Sequence, residues 1–175
     1  MKTLQVMGRM AFGLATLLAT STAYAQTGAP KEAKPSPAAT AKGKIGTSDV
    51  TVNYSSPAVK GRPIWGGLVP YGQVWRAGAN EATTIEFSKA VTVEGKALPA
   101  GKYGFFVLPT EKQWTVIFNK VPDQWGAFKY DQKQDALRVT VTPRKAAMTE
   151  RLAYTLTPKG LTLRWEKLEA LVAVK

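Results

Sequence analysis

The chain has 175 residues, of which 24 are Lys or Arg and 12 are Asp or Glu, giving a formal net charge of +12. It contains neither cysteine nor histidine, which excludes disulfides, thiolate and imidazole metal sites, cysteine nucleophiles and the Ser-His-Asp triad. Any chemistry falls to carboxylates, Lys, Tyr and Ser/Thr, alone or with a hard oxygen-liganded cation.

Lys2 and Arg9 flank the start of an apolar run from Met10 to Ala19, and small residues follow as far as Ala23-Tyr24-Ala25. This order predicts a secretory signal peptide over residues 1–25, cut before Gln26. The apolar run is shorter than the roughly 20 residues a membrane-crossing helix needs, so no transmembrane segment is expected in the mature chain. The expected location is therefore the periplasm or the cell exterior. No cysteine follows the run to accept a lipid. Cleavage takes away Lys2 and Arg9 and leaves 22 basic against 12 acidic residues, a net charge of +10 spread along the chain rather than gathered in a run. Such a field attracts anionic envelope polymers or lipid head groups. Nucleic acid is not expected as a partner of an exported chain without a nucleic-acid-binding motif.

From Gln26 to Lys44 the sequence is dominated by Ala, Pro, Lys, Thr and Gly, without an aromatic or large aliphatic residue. It is expected to be a flexible tether, because it has too little apolar surface to bury. The remainder, 45–175, has the length of one domain. Val50, Val52 and Tyr54 alternate with polar neighbours, as do Ile85 and Phe87, then Val91 and Val93 before a turn at Glu94-Gly95-Lys96. Half-buried strands produce this period of two. Tyr103 to Leu108 and Trp114 to Asn119 are apolar on both faces and are expected to be central antiparallel neighbours. Leu137, Val139 and Val141 form a further strand. Leu152 to Leu156 is expected to pair across Pro158-Lys159-Gly160 with Leu161 to Trp165, and Leu168 to Val174 adds one more. The pattern predicts an all-β protein, an antiparallel, jelly-roll-like β-sandwich of about eight or nine short strands with little helix.

Between Ser55 and Asn80, three prolines and five glycines interrupt the strand pattern and predict a long ordered loop. The stretch GRPIWGGLVPYGQVWRAGANEATT, 61–84, carries Arg62, Trp65, Trp75, Arg76, Asn80 and Glu81, which combine stacking surfaces with directional hydrogen-bonding groups. A second cluster, QWGAFKYD over 124–131, is expected to fold over the first. Together they outline a ligand site of Arg62, Trp75, Arg76, Asn80, Glu81 and Trp125, with Trp75 or Trp125 lining it and Arg76, Asn80, Glu81 and Asp135 at its floor. The competing expectation is a hydrophobic plug closing one end of the sandwich, with Arg76 paired to Glu81. Glu81 and Asp135 are the candidate catalytic pair for glycoside hydrolysis, although sequence supplies no separation between them. Asp123, Asp131 and Asp135 match no calcium-loop spacing, and no metal site is assigned. Gly66, Gly67, Gly72 and Gly78 form no phosphate cradle, and no cofactor is expected.

The consecutive motifs YSSPAVKGRPIWG, LVPYGQVWRAGANEATTIEFS, LPAGKYGFFVLP, WTVIFN, QWGAFKYD and DALRVTV, from Asp49 to Leu156, resemble a bacterial family known as domain of unknown function 2911. The resemblance implies a small exported protein and lends no catalytic residue. Its most characteristic piece is the stretch from Trp75 to Thr83. Three functions remain open: a non-catalytic binding or accessory module of the envelope taking a saccharide or peptide, a carboxylate-dependent hydrolase of envelope glycans, and a structural protein that binds an envelope partner.

Overall fold

The computed structural model describes residues 35–175. The expected signal peptide and the first part of the expected tether, 26–34, lie outside the described residues. Ten strands and one short 3₁₀ turn, Gln132–Gln134, account for the regular structure among these residues. Six strands form one antiparallel sheet: β1 (Ala38–Ile45), β2 (Ser48–Ser55), β3 (Thr83–Phe87), β6 (Gly101–Pro109), β7 (Trp114–Asn119) and β8 (Asp135–Val141), ordered β1-β2-β3-β6-β7-β8. Between β3 and β6 the chain forms the hairpin of β4 (Val91–Val93) and β5 (Lys96–Leu98). Glu94 and Gly95 both have positive φ, 46° and 80°, as a two-residue turn of the type I′ kind requires. After β8, the long strands β9 (Arg144–Thr157) and β10 (Gly160–Ala173) form a second hairpin.

The two hairpins join into the opposing layer. Thr92 and Lys175 exchange backbone hydrogen bonds of 2.8 and 2.9 Å, and the Glu94 amide donates to the Ala173 carbonyl at 2.9 Å. Leu152, Tyr154, Leu161, Leu163, Trp165 and Val172 of this layer bury against Val52, Ile85, Phe105, Trp114, Val116 and Val139 of the six-stranded sheet. The antiparallel β-sandwich thus has one continuous core.

The tether expectation is corrected from Ala38 onward. Ala38–Lys44 belongs to β1 and pairs residue for residue with β2, from Ala38 opposite Ser55 to Ile45 opposite Ser48. Its inward positions Ala39, Ala41 and Gly43 are half-buried, while Lys42 and Lys44 point to solvent. The period of two is present, written in small rather than large residues. Gly43 shows why: a Cβ there would stand 3.0 Å from the Leu156 Cβ.

The apolar outer faces of β6 and β7 are also covered. Phe106, Ile117 and Ala82 make a second, smaller cluster with Val74, Leu108, Ala127 and Tyr130. The segment 121–130 therefore folds down onto the sheet. At Gly104 a side chain would collide with the Val121 carbonyl, 2.9 Å from the Cβ position, so the close approach of this segment needs glycine.

Candidate functional site

The two sequence clusters meet, as expected. Ala82 donates its amide to the Gln124 carbonyl at 3.0 Å, Gly126 to the Asn80 carbonyl at 3.2 Å, and Glu81 and Trp125 form an antiparallel bridge. The stretch after Trp75 is bent tightly to do so. Ala77 and Asn80 both sit in the left-handed region, at φ 52° and 57°. Ala77 is fully buried, and its carbonyl accepts from the Thr83 hydroxyl at 3.0 Å and the Tyr154 hydroxyl at 2.7 Å. Such backbone costs roughly 1–2 kcal/mol outside glycine and persists only where the surroundings over-determine it. A Cβ on Gly78 would lie 2.7 Å from the Thr83 hydroxyl, which leaves glycine as the only fit.

This junction separates two cavities, and five of the six candidate binding residues divide between them, Glu81 and Trp125 on one and Arg62, Trp75 and Arg76 on the other. The larger, of about 560 Å³, opens on the outer face of the six-stranded sheet. Its floor is a cross-strand row in which Thr40 faces Asn53 and Asn53 faces Thr84. The Thr40 hydroxyl donates to the Asn53 side-chain oxygen at 2.8 Å. Glu81, Trp125, Gln124 and the Lys102–Asp123 ion pair (3.3 Å) form the walls, with Tyr54 at one end. Trp125 is 57% exposed, whereas the Gln124 Oε1 is buried with no hydrogen-bond donor. Thr40, Asn53, Tyr54 and Lys102 were not among the site residues expected from the sequence. They come together only through strand register.

The second cavity, of about 210 Å³, lies on the other side of the junction and is lined by Arg62, Trp75, Arg76 and Trp165 among others. Asn80 lines neither. Its amide donates to the Ser36 carbonyl at 3.1 Å and the Ser55 hydroxyl at 3.0 Å, tying the junction to the start of β1.

Trp75 is largely structural. Its ring stacks on Trp165 (5.8 Å, 18°) and meets Trp65 edge-on, and its indole N–H donates to the Gly78 carbonyl at 3.0 Å. With Trp114, which contacts Trp65 at 4.5 Å, these tryptophans plug one end of the sandwich. The expected Arg76–Glu81 ion pair does not form, since Arg76 makes no ion pair among the described residues. Partial burial lowers the Arg76 pKa from its ordinary value, with no acidic neighbour opposing the shift.

Asp135 stands apart and corrects the expected site floor. It lines neither cavity. Its carboxylate accepts from the Asn119 amide (2.8 Å), the Tyr130 hydroxyl (2.6 Å) and Arg138 (2.8 Å), with only 6% of the side chain exposed. Burial, then the hydrogen bond and charge of Asp135, push the Tyr130 phenol up to about 12 against the opposing pull of Arg138. A carboxylate saturated in this way anchors the covering segment and is not placed to act with Glu81. Asp131 caps the 3₁₀ turn by accepting from the Lys133 amide, and Asp123 pairs with Lys102, so the three loop aspartates serve separate contacts.

Fold and site together define an antiparallel β-sandwich with a strained turn at Ala77 and Asn80 between two cavities. A family model described as "Protein of unknown function (DUF2911)" matches residues 36–174, and the chain belongs to that family. Neither a curated protein nor a solved structure matches the chain.

Proposed function

We propose that this protein is a non-catalytic binding module of the bacterial envelope whose larger cavity takes a saccharide or peptide, with a saccharide favoured. The observation that carries this reading is the cavity of about 560 Å³ over the row Thr40, Asn53 and Thr84, walled by Trp125 and the Lys102–Asp123 pair. Sugar rings offer apolar faces that stack on aromatic rings and hydroxyls that both donate and accept, and this lining supplies a counterpart to each. Its volume lies within the range of small-molecule sites, roughly 300–1,000 Å³. An envelope location is supported by the leader-like sequence of residues 1–25 and by a chain that needs no reduced thiol.

The test is calorimetric titration of the purified protein with peptidoglycan fragments and neutral oligosaccharides. Trp125→Ala is expected to weaken the best ligand about tenfold, roughly 1.4 kcal/mol, while leaving the unfolding temperature within a degree or two. Failure of every ligand in the panel, or wild-type affinity in Trp125→Ala, would overturn the reading.

A further inference from the structure

Among the described residues, five buried side-chain polar atoms have no hydrogen-bond partner, and four of them are donors at the tryptophan-plugged end: the indole N–H groups of Trp65, Trp114 and Trp165, and the Arg76 Nε. Buried donors left unmade cost roughly 1–3 kcal/mol each, and natural folds rarely tolerate several together without a reason. Two of the four, Arg76 and Trp165, belong to residues lining the cavity of about 210 Å³. No carboxylate from the described residues enters that lining.

The second guanidinium on this cavity is held in place. Arg62 donates its Nε to the Val59 carbonyl at 3.0 Å and one Nη to the Ala58 carbonyl at 2.6 Å, leaving its other Nη without an acceptor among the described residues. Two like charges therefore line one small concavity, and the unmet capacity around it consists of donors. A ligand that supplied acceptors and negative charge would satisfy both deficits. Leu68, Val69 and the stacked rings of Trp75 and Trp165 supply the apolar walls of the cavity, and Ser36, Pro57, Gly78 and Ala79 complete the lining. The volume falls below that of drug-sized sites and suits a compact ligand.

We propose that this cavity binds a small carboxylate with a short apolar body, its oxygens on Arg76 and Arg62 and its body against Trp75 and Trp165. A guanidinium fork matches the two oxygens of a carboxylate in one plane, and aromatic walls exclude water from the pair. This site shares no lining residue with the larger cavity, so it stands or falls independently of saccharide binding.

The test is calorimetric titration of the purified full chain with acetate, hexanoate and benzoate, with benzamide as the neutral isostere of benzoate and inorganic phosphate as a tetrahedral anion. At least one carboxylate is expected to bind saturably with one site per chain. Benzoate is expected to bind at least tenfold tighter than benzamide, and phosphate more weakly than the best carboxylate. Arg76→Gln is expected to lose at least tenfold in carboxylate affinity while unfolding at or above the wild-type temperature, and Arg76→Lys to recover part of the affinity. The proposal is overturned by the absence of saturable carboxylate binding, by equal binding of benzoate and benzamide, by preference for phosphate, or by wild-type affinity in a folded Arg76→Gln protein. Should Arg76→Gln fail to fold, the comparison of benzoate with benzamide on the wild-type protein decides alone.

Discussion

Asp135 illustrates how a residue type selected for chemistry serves construction instead. Its carboxylate joins Asn119 on β7, Tyr130 on the covering segment and Arg138 on its own strand. Replacing it by alanine strips the Arg138 guanidinium of its carboxylate and leaves the Asn119 amide one acceptor short. Removing one partner of a buried, hydrogen-bonded charge typically costs 3–5 kcal/mol, and the partial exposure of Arg138 places Asp135→Ala at the lower end, about 3 kcal/mol in denaturant unfolding. Ligand affinity at the larger cavity is expected to stay within twofold of wild type. A large loss of affinity with unchanged stability would reverse these roles. In the sequence, Glu81 and Asp135 look alike as exposed-loop carboxylates. Only the packing of Tyr130 and Arg138 shows that one of them is saturated.

At the scale of elements, β1 shows how a strand escapes notice. Its inward positions carry Ala39, Ala41 and Gly43, and at Gly43 the Leu156 side chain of β9 lies so close that a Cβ would stand 3.0 Å from it. A composition of Ala, Lys, Thr and Gly resembles a tether, yet backbone pairing with β2 and the small-residue contact with Leu156 hold it in the sheet. Gly43→Val is therefore expected to lower stability by about 1–3 kcal/mol through overpacking, whereas Lys42→Val on the solvent side is expected to change it by less than about 0.5 kcal/mol. Thermal unfolding of the two variants checks this, and equal effects would remove β1 from the packed layer. The strands built from large residues, such as β2, β6, β7 and the turn end of the β9–β10 hairpin, were legible because alternating Val, Ile, Leu, Tyr and Trp leave a period that small residues do not, whereas the separate strand expected over Leu168 to Val174 is the continuation of β10, paired with the start of β9. The covering segment was legible in part. Its aromatic content marked it as packed, while the surface it packs on, the outer faces of Phe106 and Ile117, follows from the sheet.

For the molecule as a whole, the tyrosines couple stability to alkaline pH. The Tyr130 phenol is raised to about 12, and full burial raises Tyr154 well above its ordinary value. Because the folded state keeps these protons to a higher pH than the unfolded chain, where tyrosine titrates near 10, their stabilisation is complete below about pH 10 and is lost above it, for Tyr130 as pH climbs towards 12. The urea midpoint is expected to fall across that window, and Tyr130→Phe to make the fall shallower; a mutant profile parallel to wild type would contradict the assignment. Alternating hydrophobicity, turn residues and the lack of Cys and His settled, without coordinates, that the domain is an antiparallel β-sandwich and that thiol and imidazole chemistry play no part in it. Period and composition are local properties, and they read directly from neighbouring residues. The division of the Trp/Arg-rich loop into two cavities, the row of Thr40, Asn53 and Thr84, and the unpaired donors around Arg76 were decided by register and chain crossing, which bring together residues as far apart in sequence as Ser36 and Trp165 and leave no trace in any one segment.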